Sequence, residues 1–181
     1  RERFQELLVR EMGVVRAGDP LDPDTELGPL AGRELREHLH EQVSRSVAGG
    51  AECLLGGEIP PGPGAYYPPT VLSGVRPGMP AFDDELFGPV AAVVSAADQD
   101  EAVAVANASP FGLGAAVFTA DAERGERIAA DRLEAGCCFV NDFVRSDPRL
   151  PFGGVKESGY GRELSAFGLR EFTNIKSVWV A

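Results

Sequence analysis

Cysteine, histidine, methionine and tryptophan are all scarce, and their scarcity removes whole classes of chemistry. The 181 residues hold three Cys, two His, two Met and one Trp. Cys53, Cys137 and Cys138 form no C-x-x-C, and three thiols cannot all pair. Neighbours in an extended strand point to opposite faces, so Cys137 and Cys138 are badly placed to ligate one ion. His38 and His40, two positions apart on a helix, would sit about 200° apart around its axis. This predicts no metal site, and free buried thiols in a reducing, cytoplasmic setting. No apolar run approaches the ~20 residues that span a bilayer. Nothing behind Arg1-Glu2-Arg3-Phe4 reads as a signal-peptide core, and no internal repeat or low-complexity tract is visible. The first residue is not Met, so the chain is expected to begin inside a longer polypeptide. Basic residues are the minority, 17 against 28 acidic, for a formal charge of −11. That field repels nucleic acid and anionic membranes, which argues against both as partners.

What is present is ordinary for a globular protein: 44% apolar and 25% charged residues, with length for one domain, or one domain plus an appendage. Phe4, Leu7, Leu8, Met12 and Val15 recur at helical spacing. Gly18-Asp19-Pro20 and Asp22-Pro23-Asp24 then break the pattern. Leu35, Leu39, Val43 and Val47 predict a second helix, stopped by Gly49-Gly50. Leu54-Leu55 is a short strand candidate, residues 60–64 are a Pro/Gly loop, and Tyr67 to Leu72 leads into extended structure. Val90 to Val94 reads as a buried strand. Asp98 with Glu101 starts a helix to about Ala108. Ala115 to Thr119 reads as a strand. Asp121 caps a helix that turns Ile128, Ala129 and Leu133 inward and ends at Gly136. Cys137 to Asn141 is the next strand. Strand and helix alternate here, which predicts an α/β domain with parallel strands. Glu163 to Glu171 suggests a short helix and Phe172 to Val180 a last strand.

Two cassettes stand out from this background. Asp84-Glu85-Leu86-Phe87-Gly88-Pro89-Val90 puts a carboxylate two residues from an aromatic ring, before a Gly-Pro break. Pro151-Phe152-Gly153-Gly154-Val155-Lys156-Glu157-Ser158-Gly159-Tyr160-Gly161-Arg162-Glu163 is rich in glycine, which permits positive φ and close backbone approach at 153, 154, 159 and 161. It lacks both the P-loop spacing and a G-x-G-x-x-G helix start, so it is not a phosphate cradle. Without a wider pattern, Glu85 would read as a solvated turn acid in the Asp83-Asp84-Glu85 run, and Phe152 as core packing.

The cassettes, in this order, resemble the C-terminal part of an aldehyde dehydrogenase. Further segments fit the same family in order: Gly18-Asp19-Pro20-Leu21-Asp22 with Gly28-Pro29, Gly56-Gly57, Tyr67 to Leu72, Ala106-Asn107 ahead of Phe111-Gly112-Leu113, Val140-Asn141, and Gly168 with Phe172 and Lys176. The resemblance implies a parallel-sheet catalytic domain with a C-terminal oligomerisation strand. Residues 1–141 would be a catalytic-domain portion, 142–171 a glycine-rich return loop and short helix, and 172–181 the strand that joins protomers into a homo-oligomer. It also implies a mechanism in which a Cys thiolate attacks the aldehyde, hydride passes to NAD or NADP, and water activated by a Glu hydrolyses the thioester. The nucleophilic Cys, that Glu, the oxyanion-stabilising Asn and the dinucleotide-binding units would lie upstream, so this chain supplies no catalytic residue and alone is expected to be inactive. By the same resemblance Glu85 would hold the nicotinamide ribose, since a carboxylate can accept from both vicinal hydroxyls. Phe87 would pack beside the nicotinamide, and Phe152 would line the aldehyde pocket. Asn141 to Pro148, Gly161 to Ser165 and Asn174 to Trp179 look like the succinate-semialdehyde dehydrogenase branch, in which Ser146 would bind the substrate carboxylate. Arg145 reads as a surface or interface residue. The other reading is a truncated, non-catalytic module that keeps only the fold and the oligomer interface.

Overall fold

Leu7, Leu8 and Met12 form the half-buried stripe of a first helix, α1 (Glu2–Gly13), as their spacing predicts, while Phe4 stays exposed and no residue of the helix is fully buried. The computed structural model describes Arg1–Ala181 and divides into two units, Arg1–Ser95 and Ala96–Ala181. The sequence suggested boundaries at 141/142 and 171/172; the division into units falls at neither.

The first unit is built on a three-stranded sheet, β1 (Glu52–Leu55), β2 (Thr70–Ser73) and β3 (Val90–Val93), in that order. β1 runs antiparallel to β2, and β2 pairs parallel with β3, Thr70 opposite Val90 through Ser73 opposite Val93. β2 is central and buried throughout. β3 was expected to be a fully buried strand; it lies at the sheet edge, half-buried, with Ala92 exposed. Helix α2 (Arg33–Ala48) buries Leu39, Gln42, Val43 and Ser46 and leaves Leu35 and Val47 exposed. A single-turn helix that the sequence reading did not anticipate, α3 (Pro80–Asp83), packs on α2. Its start carries Pro at the first helical position, where a missing N–H costs nothing. Leu39, Val43, Tyr67, Leu72, Val75 and Met79 form the core, with Leu86 and Val90 packed against it.

The second unit alternates as expected. α4 (Gln99–Asn107) begins at Asp98, whose carboxylate accepts from Glu101 N–H at 2.9 Å, while the Glu101 carboxylate accepts from Ala97 N–H. This is a capping-box arrangement displaced by one residue. β5 (Gly114–Val117) and β6 (Cys137–Val140) pair in parallel across α5 (Ala122–Asp131), which Asp121 caps by accepting from Arg124 N–H. The helix stops at Asp131, short of the Gly136 the sequence suggested. Asn107 holds the following link, donating to Arg132 O at 2.7 Å and accepting from Glu134 N–H at 2.9 Å. A two-residue ladder, β4 (Phe111–Gly112) against β7 (Val155–Lys156), was not expected from sequence.

Helix α6 (Ser165–Glu171) forms two residues later than anticipated. The strand expected over Phe172 to Val180 makes no strand pairing within the chain, and Phe172, Ile175, Val178, Trp179 and Val180 are all exposed, Trp179 at 91%. The segment does not close the unit's own sheet. No helix is long and apolar enough to cross a membrane.

Candidate functional site

Glu85 and Phe87 sit on the turn between α3 and β3, in the first unit. Its acidic run divides its labour. Asp83 Oδ2 accepts from Gly78 N–H at 2.9 Å, closing the loop before α3, whereas the Glu85 carboxylate is exposed and makes no hydrogen bond or ion pair within the chain. Phe87 is 64% exposed. Between them Leu86 packs on the core, so the two flanking side chains face away from it. Gly88 lies so close to Leu39 Cδ2 that a Cβ there would collide with it, and this close approach explains the glycine before Pro89.

In the second unit the glycine-rich cassette is stapled to β4, to the segments around Asn107 and Glu134, and to its own ends. Phe152 N–H donates to Glu163 O at 2.9 Å and Glu163 N–H returns to Phe152 O at 2.8 Å. Arg162 Nη1 donates to Gly154 O and Gly161 O, at 2.8 and 2.6 Å. Gly112 N–H donates to Ser158 Oγ. Lys156 Nζ reaches Asn107 O at 2.7 Å, Ser109 O at 3.2 Å and the Glu134 carboxylate at 3.1 Å. A Cβ on Gly136 would run into the Gly153 carbonyl, so glycine is required where β6 begins against the cassette.

β6 and the loop that follows it, up to the start of the cassette, enclose a concavity of about 440 Å³ whose lining includes Cys137, Phe139, Arg145, Leu150 and Phe152. Phe152 is thus a wall of an open concavity, not core. Ser146 is exposed and is not part of the lining; its neighbour Arg145, read from sequence as a surface residue, is. Arg145 is the one cation lining it. Its Nη2 donates to Asp142 at 2.6 Å, leaving other guanidinium donors for a ligand. The second carboxylate of the lining, Asp147, is taken by Arg149 through contacts of 2.6 and 2.9 Å. Those hydrogen bonds hold its carboxyl well below the usual carboxylate range.

The thiols were expected to be free and buried. They are free, but Cys53 is exposed and Cys137 and Cys138 are half-buried. Burial, the larger cause, raises the Cys138 thiol above its ordinary range, which keeps it a thiol and a poor nucleophile. No three His, Cys, Asp or Glu side chains are gathered where an ion could sit. Sequence reasoning passed over Gln42. The signal for it was present: a Gln and Ser46 share the helix face of Leu39 and Val43, where apolar residues belong.

Glu85 and Phe87 fit the nicotinamide-riboside end of a dinucleotide: two unengaged carboxylate oxygens for a vicinal diol and an uncovered ring for a flat heterocycle. Comparison with known proteins bears on the family. The family model described as "Aldehyde dehydrogenase family" matches residues 1–178. Over 176 residues the chain is 52% identical to succinate semialdehyde dehydrogenase (NAD(P)+) Sad of Escherichia coli K12, an alignment covering 97% of this chain and 38% of that protein. It is 48% identical over 180 residues to the NADP(+) succinate-semialdehyde dehydrogenase of Mycobacterium leprae, covering 99% of this chain and 39% of that one. Among solved structures, the Streptococcus pyogenes succinic semialdehyde dehydrogenase in complex with NADP+ matches with a TM-score of 0.94 at 38% identity, over 99% of this chain and 39% of its own. The chain therefore spans less than two-fifths of the length of these relatives, and along nearly all of its own length it belongs to the aldehyde dehydrogenase family.

Proposed function

We propose that the polypeptide carrying this chain is an NAD- or NADP-dependent aldehyde dehydrogenase that oxidises succinate semialdehyde to the dicarboxylate. What supports this most is the 52% identity to a succinate semialdehyde dehydrogenase, sustained over 97% of the chain. When bound, the nicotinamide supplies the hydride acceptor. This chain's part is to hold and wall. Glu85 accepts from the ribose hydroxyls, Phe87 limits the swing of the nicotinamide ring, and Phe152 lines the aldehyde pocket. The loop after β6 reads the far carboxylate of the substrate. Ser146 contributes a hydroxyl donor by resemblance, and Arg145 contributes a guanidinium that faces the same concavity as Phe152. In a chain of charge −11, an anionic substrate needs such a local cation. The nucleophile is supplied by another segment, since none of the three cysteines stands at its position in the family pattern.

The exposed apolar tail from Phe172 to Val180 is the oligomerisation strand, adding to a sheet of a second copy, and the free thiols suit a reducing, cytoplasmic setting. The experiment that tests the activity is a panel of aldehydes, succinate semialdehyde and neutral aldehydes of similar length among them, each with NAD and with NADP, on the full polypeptide. Turnover that does not prefer the carboxylate-bearing aldehyde removes the substrate assignment; absence of nicotinamide reduction with every aldehyde removes the enzyme reading.

A further inference from the structure

We propose that Gln42 is a positioning residue for the cofactor-facing turn, fixing the backbone from which Glu85 and Phe87 project; this rests on the reading of Glu85 as the ribose ligand. Four residues of α2 are buried on one face: Leu39, Gln42, Val43 and Ser46. Leu39 and Val43 belong to the core. Ser46 is fully employed, its hydroxyl donating to Gln42 O at 2.8 Å and accepting from Ala81 N–H at 2.9 Å. Gln42 is different. It is 3% exposed, its Nε2 donates to the Glu85 carbonyl at 3.2 Å, and its Oε1 is buried without a partner.

A buried, unsatisfied amide oxygen is unfavourable, and an apolar side chain of the same length would avoid the cost. Packing therefore does not call for Gln here. What the amide adds is a donor for one carbonyl, and that carbonyl belongs to Glu85. The orientation follows from the same contact, because a flipped amide would set two oxygens face to face. Ser46 holds the start of the 81–85 segment and Gln42 holds its end. Leu86, packed on the core, is the third anchor. With the Glu85–Leu86 peptide so fixed, the carboxylate and the Phe87 ring leave the turn in set directions, and a ligand that needs both need not order them.

The test uses Gln42→Met, Glu85→Gln and the double variant in the full polypeptide. It reads the dissociation constant for NAD and NADP by calorimetry, the KM for aldehyde, and the melting temperature. Gln42→Met keeps the volume and removes the donor. The expected result is a three- to tenfold weaker cofactor affinity, with the aldehyde KM unchanged and the melting temperature level or higher. In the Glu85→Gln background the same change should alter affinity by less than twofold, because the group it positions is already impaired. Full affinity in Gln42→Met beside weakened affinity in Glu85→Gln overturns the positioning role and leaves Glu85 in place. Full affinity in Glu85→Gln removes the reading of Glu85 itself, and the positioning role with it. Gln42→Leu is the second variant; if neither it nor Gln42→Met folds, Gln42 is a core fastener and the proposal falls.

Discussion

The Asn141 side-chain amide pairs with the backbone of Thr119 in both directions: Nδ2 donates to Thr119 O at 2.9 Å, and Oδ1 accepts from Thr119 N–H at 2.8 Å. Asn141 sits in the left-handed region at φ 55°, where β6 has ended and the loop carrying Arg145 and Ser146 begins. The amide continues the β5–β6 pairing with a side chain after the backbone has turned away. Few residues other than Asn tolerate that conformation and bond the neighbouring strand. Asn141→Ala should therefore cost about 1–3 kcal/mol of stability, from two lost hydrogen bonds and a strained backbone. Asn141→Gly should lose less, since it relieves the strain. Urea denaturation of both variants checks this, and equal losses would show that backbone strain contributes nothing.

Glu85→Gln tests the cofactor assignment directly. Because the carboxylate makes no contact within the chain, its replacement should leave the melting temperature unchanged. Cofactor affinity and the hydride-transfer rate should fall by the worth of one charge-assisted hydrogen bond, about 1–3 kcal/mol. Binding and pre-steady-state measurements separate the two, and an unaltered value in both removes Glu85 from the site.

Ser146→Ala and Arg145→Met address the substrate. Each should raise KM for succinate semialdehyde and spare a neutral aldehyde of similar length, the loss being about 1.5–3 kcal/mol for a hydrogen bond to a charged group. The arginine change should be the larger of the two, since Arg145 lines the concavity and Ser146 does not. Equal effects on both aldehydes would assign these residues to loop shape. Arg145→Met also releases Asp142 from its 2.6 Å contact, so Asp142→Asn serves as the control.

Much of this was legible locally and some was not, and the difference is one of range. The caps at Asp98 and Asp121 are short-range patterns, and the structure keeps them; of the apolar stripe of α2 it buries Leu39 and Val43 and leaves Leu35 and Val47 exposed. The β4–β7 ladder joins Gly112 to Val155, and no local periodicity announces a two-residue strand whose partner is distant. α3 is a single turn held by Ser46 and Asp83, so its helicity comes from tertiary anchors more than from propensity. The glycines of the cassette were legible as permissive positions, but the need for Gly136 appears only where β6 meets the Gly153 carbonyl. Arg145 is exposed, as its sequence suggested, but its place in the lining of the concavity was not legible for a related reason. Its sequence neighbourhood says loop, and only the fold says which side of the loop faces Phe152.

Tyr67 predicts a pH dependence in the first unit. Its ring is buried in the core, and its hydroxyl lies 3.2 Å from His40 Nδ1 and 3.3 Å from the Gly57 carbonyl. Burial first, then the nearby Cys53 and Glu58, pushes its pKa up to about 12 from the ordinary 10.0. Unfolded Tyr releases its proton near pH 10 while the folded form keeps it, so the unfolded state binds fewer protons and stability falls as pH rises. The loss should begin near pH 10, be complete near pH 12, and amount to on the order of 2 kcal/mol. Tyr67→Phe should flatten that part of the stability curve. An unchanged slope between pH 10 and 12 in the variant would place the alkaline loss elsewhere.

The tail from Phe172 to Val180 carries the last prediction. Its apolar side chains are exposed, Ile175, Val178 and Trp179 among them, and its backbone has no strand partner within the chain. An extended segment of this composition offers unpaired N–H and C=O groups together with apolar faces, and both costs vanish if it adds to the sheet edge of another copy. A tail that merely hung in water would gain nothing from β-branched residues and a tryptophan. Deleting residues 172–181 from the full polypeptide should therefore convert its oligomer to smaller species by analytical ultracentrifugation, while α6 and the β5–β6 pair, which lie outside the deletion, remain folded. Replacing Ile175 and Val178 with Lys should give the same dissociation with the backbone intact, because charge on those faces opposes burial more than it opposes extension. A truncated polypeptide that stays soluble at its original mass would mean that this segment is not a joint between copies.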